Sequence, residues 1–202
     1  HSAQRMWGIT LMKMGKYSEG ATLLQRIIQF SPEDASLYEQ VATGFMQGDE
    51  NEKAVLFLEV LRELEPESAY YAFLKGLAHH KTGQYNSAIR EYLQSIMRDD
   101  SDPVVFNNLG LVYQAISDPE NALREIRHAV EMKPDYADAY YNVANVLLDL
   151  EEYAAAEEWF FKAFSIDPAL YDEVKLGELY YKQFQFEKAL HSYESLLTKN
   201  PG

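Results

Sequence analysis

The stretch FNNLGLVYQ, residues 106–114, points to a repeat because its pattern returns in YYNVANVLL, residues 140–148. Both stretches read as helices, yet Asn108 and Asn142 lie inside them, where an amide competes for backbone hydrogen bonds. The two asparagines are 34 residues apart. A small residue recurs at nearly the same interval along the whole chain, at Gly8, Ala42, Gly76, Gly110, Ala144 and Gly177. This periodicity predicts an array of structural repeats.

Two further sets of residues keep the same register. The second small set is Gly20, Ala54, Ala88, Ala122, Ala156 and Ala189, and the third set is Pro32, Pro66, Pro134, Pro168 and Pro201. Apolar residues between them follow the helical period, and the stretches are broken by Gly, Pro or acidic residues. Each repeat is therefore predicted to be a helical hairpin, in which small residues let the two backbones approach and Pro ends the second helix.

A lone hairpin cannot bury its apolar faces, whereas stacked hairpins share a continuous core. The sequence thus predicts an all-α fold. It is expected to be one domain over residues 1–202, built from six stacked helix-turn-helix units at 1–34, 35–68, 69–102, 103–136, 137–169 and 170–202. The chain begins His1-Ser2, and we expect it to be a piece of a longer protein.

This pattern resembles the tetratricopeptide repeat (TPR) family across essentially the whole chain. In the fourth unit the resemblance rests on Leu109-Gly110 with Tyr113, Ala122, Ala129 and Pro134; in the fifth it rests on Tyr140, Val143-Ala144, Tyr153, Ala156, Phe160, Ala163 and Pro168. The resemblance implies a right-handed superhelical solenoid whose ligands lie along a concave groove lined by the first helix of each hairpin.

The composition excludes several classes of function. The formal net charge is −14, and nucleic acid requires a basic footprint, so we expect no nucleic-acid partner. The chain has no cysteine, which excludes disulfides and thiolate chemistry. No apolar run approaches the length of a membrane span, so we expect no direct membrane insertion. A soluble protein is expected, cytoplasmic or, if bacterial, periplasmic.

The family resemblance implies that positions 2, 5, 6, 9, 12 and 13 of each unit face the groove. From these positions we expect ten residues to contact a protein or peptide partner: Tyr70, Phe73, Leu77, Asn107, Asn108, Leu111, Tyr141, Asn142, Asn145 and Tyr181. Asn108 and Asn142 occupy equivalent places and are expected to stack as a ladder. A carboxamide both donates and accepts, so the ladder could pair with the backbone of an extended peptide; alternatively, the asparagines are solvated or hold neighbouring units together.

Exposed aromatic residues mark interaction surfaces, but aromatic residues at helical spacing also form cores. Both interpretations stay open for Tyr70 and Phe73. Neighbours on a helix point about 100° apart, so if Tyr140 and Tyr180 are core residues, Tyr141 and Tyr181 are not.

One binding mode of the family, a clamp for two carboxylates at a peptide's C-terminus, is disfavoured. It requires Lys at position 5 and Asn at position 9, and the first unit offers Arg5 and Ile9 while the fourth offers Asn107 and Leu111. We find no catalytic or metal motif, and we expect no cofactor and no enzymatic activity.

The main hypothesis is a non-catalytic protein-interaction scaffold that binds a peptide or partner segment in its groove. One alternative is a self-assembling module that associates through the ends of the solenoid. Another is a regulatory arm of an enzyme whose catalytic domain lies outside this chain.

Overall fold

The computed structural model describes residues 1–199, and the side chains of residues 1–197. Twelve α-helices and two short 3₁₀ turns make up this part of the chain, which contains no strand. The helices are α1 (Ser2–Lys13), α2 (Tyr17–Gln25), α3 (Ala35–Gln47), α4 (Asn51–Leu64), α5 (Ala69–Lys81), α6 (Tyr85–Arg98), α7 (Pro103–Ala115), α8 (Pro119–Met132), α9 (Ala137–Asp149), α10 (Tyr153–Ile166), α11 (Glu173–Lys182) and α12 (Phe186–Lys199). The predicted all-α class is confirmed.

The chain falls into two compact units, His1–Val105 and Phe106–Gly202. In the first unit, α1–α2, α3–α4 and α5–α6 form hairpins, and successive hairpins meet through α2–α3 and α4–α5. In the second unit, α9–α10 and α11–α12 form hairpins, and neighbouring hairpins meet through α8–α9 and α10–α11. Stacked helix-turn-helix repeats are therefore the architecture of each unit. The expectation of one domain over residues 1–202 stays a prediction.

Side-chain caps fix where several first helices begin. The Asp34 carboxylate accepts a hydrogen bond from the Leu37 backbone N–H, and the Ser68 hydroxyl accepts one from Tyr71. Asp172 does the same for Val174 and Lys175 at the start of α11. These caps satisfy amide groups that an α-helix leaves unpaired at its N-terminus.

The small residues of the repeat lie where two helices of a hairpin approach most closely. A Cβ atom built on Gly110 would lie 2.4 Å from Ile126 Cγ1 in α8. A Cβ atom on Gly177 would lie 2.4 Å from the Tyr193 ring in α12. The small residue at this position makes room for a side chain of the facing helix at both sites, and at Gly110 the backbone oxygen of Ala122 also lies 3.0 Å from where the Cβ would be.

Within each hairpin, a single left-handed residue reverses the chain between the two helices. Glycine takes this place in two turns, at Gly15 and Gly83, while Asp49, Ser117, Glu151 and Phe184 adopt φ near +60° in the others. Predicted proline breaks also match helix ends, since α4 ends at Leu64 before Pro66 and α8 ends at Met132 before Pro134. Pro201 lies outside the described residues.

The first unit buries an ion-pair network in place of apolar contacts. Lys75 Nζ lies 3.2 Å from Glu91 Oε1 and 2.7 Å from Glu59 Oε1, and Arg62 donates to both oxygens of Glu91. Lys75 is 4% exposed and Glu91 is 1% exposed. His79 is also buried. Removing one member of this network would leave a buried charge poorly paired.

None of the helices within residues 1–199 combines the length and the apolar composition that spanning a bilayer requires.

Candidate binding face of the first helices

The odd-numbered helices, the first of each hairpin, carry two cavities on the face that the sequence positions predict. We call this the first-helix face and describe it separately in each unit. In the second unit, a cavity of about 460 Å³ opens between the α9–α10 turn and α11. Its lining includes six residues from predicted groove positions: Leu148, Asp149, Lys175, Glu178, Tyr181 and Lys182.

Three residues outside the predicted positions complete this cavity: Glu151, Tyr153 and Tyr193. Leu148 and the three tyrosine rings provide apolar surface, and the charges are two ammonium groups against three carboxylates. Lys175 and Glu178 neutralise one another at 3.6 Å. The cavity thus offers an apolar surface with charges of both signs at its edge, which suits a polypeptide segment better than a small ion.

The first unit has a comparable cavity of about 380 Å³ between α1 and α3. Its lining again comes mainly from predicted groove positions, namely Ile9, Met12, Lys13, Gln40 and Gln47, together with Tyr17. Residues from the predicted groove positions therefore line a cavity in each of the two units.

The ten predicted contact residues differ widely in exposure. Tyr181 is 59% exposed and Tyr70 is 50% exposed, so both rings present apolar surface to solvent. Phe73 and Leu77 are half-buried against the core of the first unit. Asn108, Leu111, Tyr141, Asn142 and Asn145 are also half-buried, and Asn107 is 4% exposed. The two exposed tyrosines are therefore the strongest candidates for direct contact with a partner.

One of the two asparagines that raised the first question, Asn142, forms an internal hydrogen bond with Asn107. Asn142 Nδ2 donates to Asn107 Oδ1 at 2.9 Å, joining α9 to α7 within the second unit. Asn145 Nδ2 donates to the Tyr141 backbone oxygen one turn earlier in the same helix. The amide of Asn142 therefore ties one repeat to the preceding one, which is the second of the two roles that the sequence left open. The ladder of Asn108 and Asn142 stays a prediction.

The side-chain hydrogen bonds between neighbouring first helices join residues that are 35 positions apart, one more than the repeat length. Arg5 Nε donates to Gln40 at 3.2 Å with the same spacing as Asn107 and Asn142. Position 5 of one first helix thus meets position 6 of the next. Because equal positions are 34 apart, a search for identical positions does not reveal this pairing.

Tyr141 also belongs to the packing between repeats. Its ring contacts Phe160 edge-on, with centroids 5.1 Å apart, and its hydroxyl donates to Asp172 at 3.2 Å. Burial, and then the Asp172 carboxylate, raises the pKa of Tyr141 to about 12. Of the two tandem tyrosine pairs, Tyr180 and Tyr181 show the predicted difference in burial, since Tyr180 is buried and Tyr181 is exposed. Tyr140 and Tyr141 do not show it, since both are half-buried.

Nothing in the geometry of the described residues assembles a metal site. Within residues 1–199 no group of three or more His, Asp or Glu side chains could hold a metal ion. His79 and His80 adjoin on α5, and burial lowers the pKa of both rings.

Parts of the chain are similar in sequence to known proteins. Heat shock protein sti1 homolog of Schizosaccharomyces pombe is 32% identical over 87 residues, which is 43% of this chain and 15% of that protein. Hsp70-Hsp90 organizing protein 2 of Arabidopsis thaliana is 28% identical over 120 residues, 59% of this chain and 21% of the relative. The chain thus spans about a fifth or less of the length of these relatives.

Solved structures share the fold at low sequence identity. Pseudomonas aeruginosa PilF superposes with a TM-score of 0.77 and 18% identity, covering 100% of this chain and 92% of its own. The family model described as tetratricopeptide repeat matches residues 42–103 and 107–169, and a second model of that description matches residues 174–202. The chain belongs to the tetratricopeptide repeat family.

Proposed function

We propose that the chain is a non-catalytic protein-interaction scaffold that binds a peptide or a partner segment on its first-helix face. The observation that carries this proposal is the cavity of about 460 Å³ in the second unit, with Tyr181 exposed at its edge. Tyrosine is enriched at protein interfaces because its rigid ring offers apolar area and its hydroxyl a hydrogen bond. Membership of the TPR family supports the same role.

The cavity favours a segment that inserts one apolar or aromatic side chain. Leu148, Tyr153 and Tyr193 would contact that side chain, while Lys175 and Lys182 lie within reach of a carboxylate on the same segment. Asp149 and Glu151 lie across the cavity and offer partners to a basic residue. The bound segment is therefore expected to carry charges of both signs around an apolar residue.

We do not transfer the binding specificity of the relatives to this chain. The residues at position 5 that a two-carboxylate clamp would use are engaged internally: Arg5 bonds Asp34 and Gln40, and Asn107 bonds Asn142. We therefore do not propose recognition of C-terminal carboxylates in the manner of that clamp.

A selection from a displayed random-peptide library, followed by calorimetric titration of the enriched peptides, tests the proposal. We expect Tyr181→Ser to weaken binding about tenfold or more, since truncating an aromatic anchor at an interface typically costs over 1 kcal/mol. Phe161→Ser is the matched control, because Phe161 is a comparably exposed ring on α10, the second helix of its hairpin. Equal loss in both variants, or no effect of Tyr181→Ser, would contradict binding at this face.

A further inference from the structure

The surface of the second unit holds two cations against a single indole ring. Trp159 on α10 is half-buried, and its ring contacts Tyr140 of α9 with centroids 5.3 Å apart. Arg127 Cζ of α8 lies 5.8 Å from the centroid of the indole, and Lys162 Nζ of α10 lies 5.0 Å from it. Both cationic side chains are exposed to solvent. We call Arg127, Trp159 and Lys162 the cationic cluster.

The cluster lies inside the array of repeats. Helix α9 packs against both α8 and α10 at this place, and the second unit continues on both sides of them, through α7 and through the hairpin of α11 and α12. The exposure of the two cations is therefore a property of a junction between repeats that is complete in the structure.

Neither cation of the cluster is neutralised by the chain. Residues 106–202 carry eight Lys or Arg side chains against seventeen Asp or Glu, so a cation here has many acidic side chains with which it could pair. The ion pairs of this unit nevertheless belong to other cations, and among the described side chains Arg127 and Lys162 form none. An aromatic ring attracts a cation through its quadrupole but has no net charge. Both side chains thus keep a full positive charge at the surface.

The carboxylates one turn away on the same helices do not cover the cluster. Glu131, four residues beyond Arg127, has its carboxylate 3.8 Å from His128 Nδ1. Glu158, four residues before Lys162, is exposed and pairs with no cation among the described residues. Ion pairs at this spacing on an exposed helix face are weak, so Glu158 would compete little with a carboxylate that also reaches Arg127.

The first unit shows which group such a junction binds when a carboxylate is available. The residue at position 23 of the repeat is Trp159 in the fifth repeat and Glu91 in the third. Glu91 accepts hydrogen bonds from Arg62, on the second helix of the preceding hairpin, at 3.1 and 3.0 Å. Arg127 also lies on the second helix of the preceding hairpin, but it meets a ring instead of a carboxylate. Its side-chain N–H groups have no acceptor among the described residues, so they can bind a carboxylate from a partner.

We infer that the cationic cluster binds a segment of a partner protein that is rich in Asp or Glu. The planar guanidinium of Arg127 can take one carboxylate through two parallel hydrogen bonds, and the ammonium of Lys162 can take a second. Carboxylates on one face of a helix or a strand recur about every 6–7 Å, so a single segment can reach both cations. The ring holds both long side chains near their bound positions, which reduces the conformational entropy lost on binding.

A protein segment is favoured over a larger polyanion. Nucleic acid and an anionic bilayer present negative charge over a wide area, and the remaining surface of a chain with a net charge of −14 repels such a partner. A short acidic segment places its charge at the cluster alone. The two cations lie on second helices, α8 and α10, so this contact is separate from the proposed binding on the first-helix face.

Intrinsic fluorescence reports on this site directly. Trp7 and Trp159 are the two tryptophans of the chain, so Trp7→Phe leaves Trp159 as the sole tryptophan. In this background we expect a Glu-rich peptide to produce a saturable change in fluorescence, and a matched peptide with Gln in place of every Glu to produce none. Added NaCl should weaken the binding, since both cations are exposed.

Substitutions in the same background locate the contact. Arg127→Gln and Lys162→Gln should each weaken binding of the Glu-rich peptide about tenfold or more, the loss typical of a hydrogen bond to a charged group. Lys188→Gln is the matched control, because Lys188 lies on another second helix, α12, with its Nζ also 5.0 Å from a ring centroid, that of Tyr180. It should bind the peptide like the parent, as should Tyr181→Ser, which alters the first-helix face. Circular dichroism checks that each variant is folded.

The inference is overturned if the Glu-rich peptide leaves the fluorescence unchanged, if the Gln peptide binds equally well, or if Arg127→Gln binds like the parent. It is also overturned if Lys188→Gln weakens binding as much as Lys162→Gln, since the attraction would then be general and not local. Saturation by inorganic phosphate, or by vesicles of an anionic phospholipid, without any response to the Glu-rich peptide would assign the cluster to phosphate groups and contradict the inference.

Discussion

Removing the Asn142 side chain tests whether its amide holds the repeats together or binds a ligand. In the structure Asn142 Nδ2 donates at 2.9 Å to the Oδ1 of Asn107, a residue that is 4% exposed. Asn142→Ala would leave this buried oxygen without its donor. A buried polar atom that loses its partner costs about 1–3 kcal/mol, more than the net value of the hydrogen bond itself.

Urea unfolding followed by circular dichroism measures this loss. We expect the free energy of unfolding to fall by about 1–3 kcal/mol in Asn142→Ala. Asn145→Ala is the matched control, because its amide donates to a backbone oxygen of its own helix, and we expect a loss below about 0.5 kcal/mol. Replacing Asn107 and Asn142 together by Leu should restore much of the stability, since neither polar group then remains buried.

A structural role for Asn142 is contradicted if Asn142→Ala is as stable as Asn145→Ala and yet no longer binds its peptide. That result would mean that the amide faces the ligand and that the bond to Asn107 contributes little.

Three further changes test other parts of the account. Glu91→Ala should lower the free energy of unfolding by about 3 kcal/mol, the low end for breaking a buried ion pair, because Lys75 keeps Glu59 as a partner; urea unfolding measures it. Glu151→Gly should raise the free energy of unfolding by about 0.5–1 kcal/mol, and with it the midpoint of thermal unfolding, because Glu151 adopts a φ of 60°. Glycine already holds this conformation in two other turns, at Gly15 and Gly83. Burial, and then Lys75, lowers the pKa of His79 below 6.5, so the folded chain binds this proton more weakly than the unfolded chain. The free energy of unfolding should therefore be retained above pH 6.5 and decline below it. His79→Phe should flatten that decline in unfolding curves measured between pH 7 and pH 5.

The repeat period predicted the fold well because it reflects a packing requirement. Gly110 and Gly177 lie where a Cβ atom would overlap the facing helix, so the small residue that the sequence repeats is the one that the geometry needs. The same register placed Leu148, Lys175 and Tyr181 at one cavity, since equal positions on stacked hairpins share a face.

The contacts between repeats were harder to predict. Asn142 meets Asn107, one residue away from the position that shares its place in the repeat, and a period alone does not show that offset. The ion pair of Lys75 and Glu91 did leave a signal, since Lys75 occupies a position that is apolar in the other five repeats. Tyr193 lies outside the predicted groove positions, yet its ring, which packs against Gly177, also lines the cavity.

The absence of cysteine allows the binding face to be tested with a single fluorescent label. Lys182→Cys would place the label at the cavity of the second unit, and Glu158→Cys would place it on α10, where the side chain is exposed. On titration with a selected peptide, the account predicts a saturable change in fluorescence at position 182 and none at position 158. A change at position 158 with none at position 182 would contradict binding on the first-helix face.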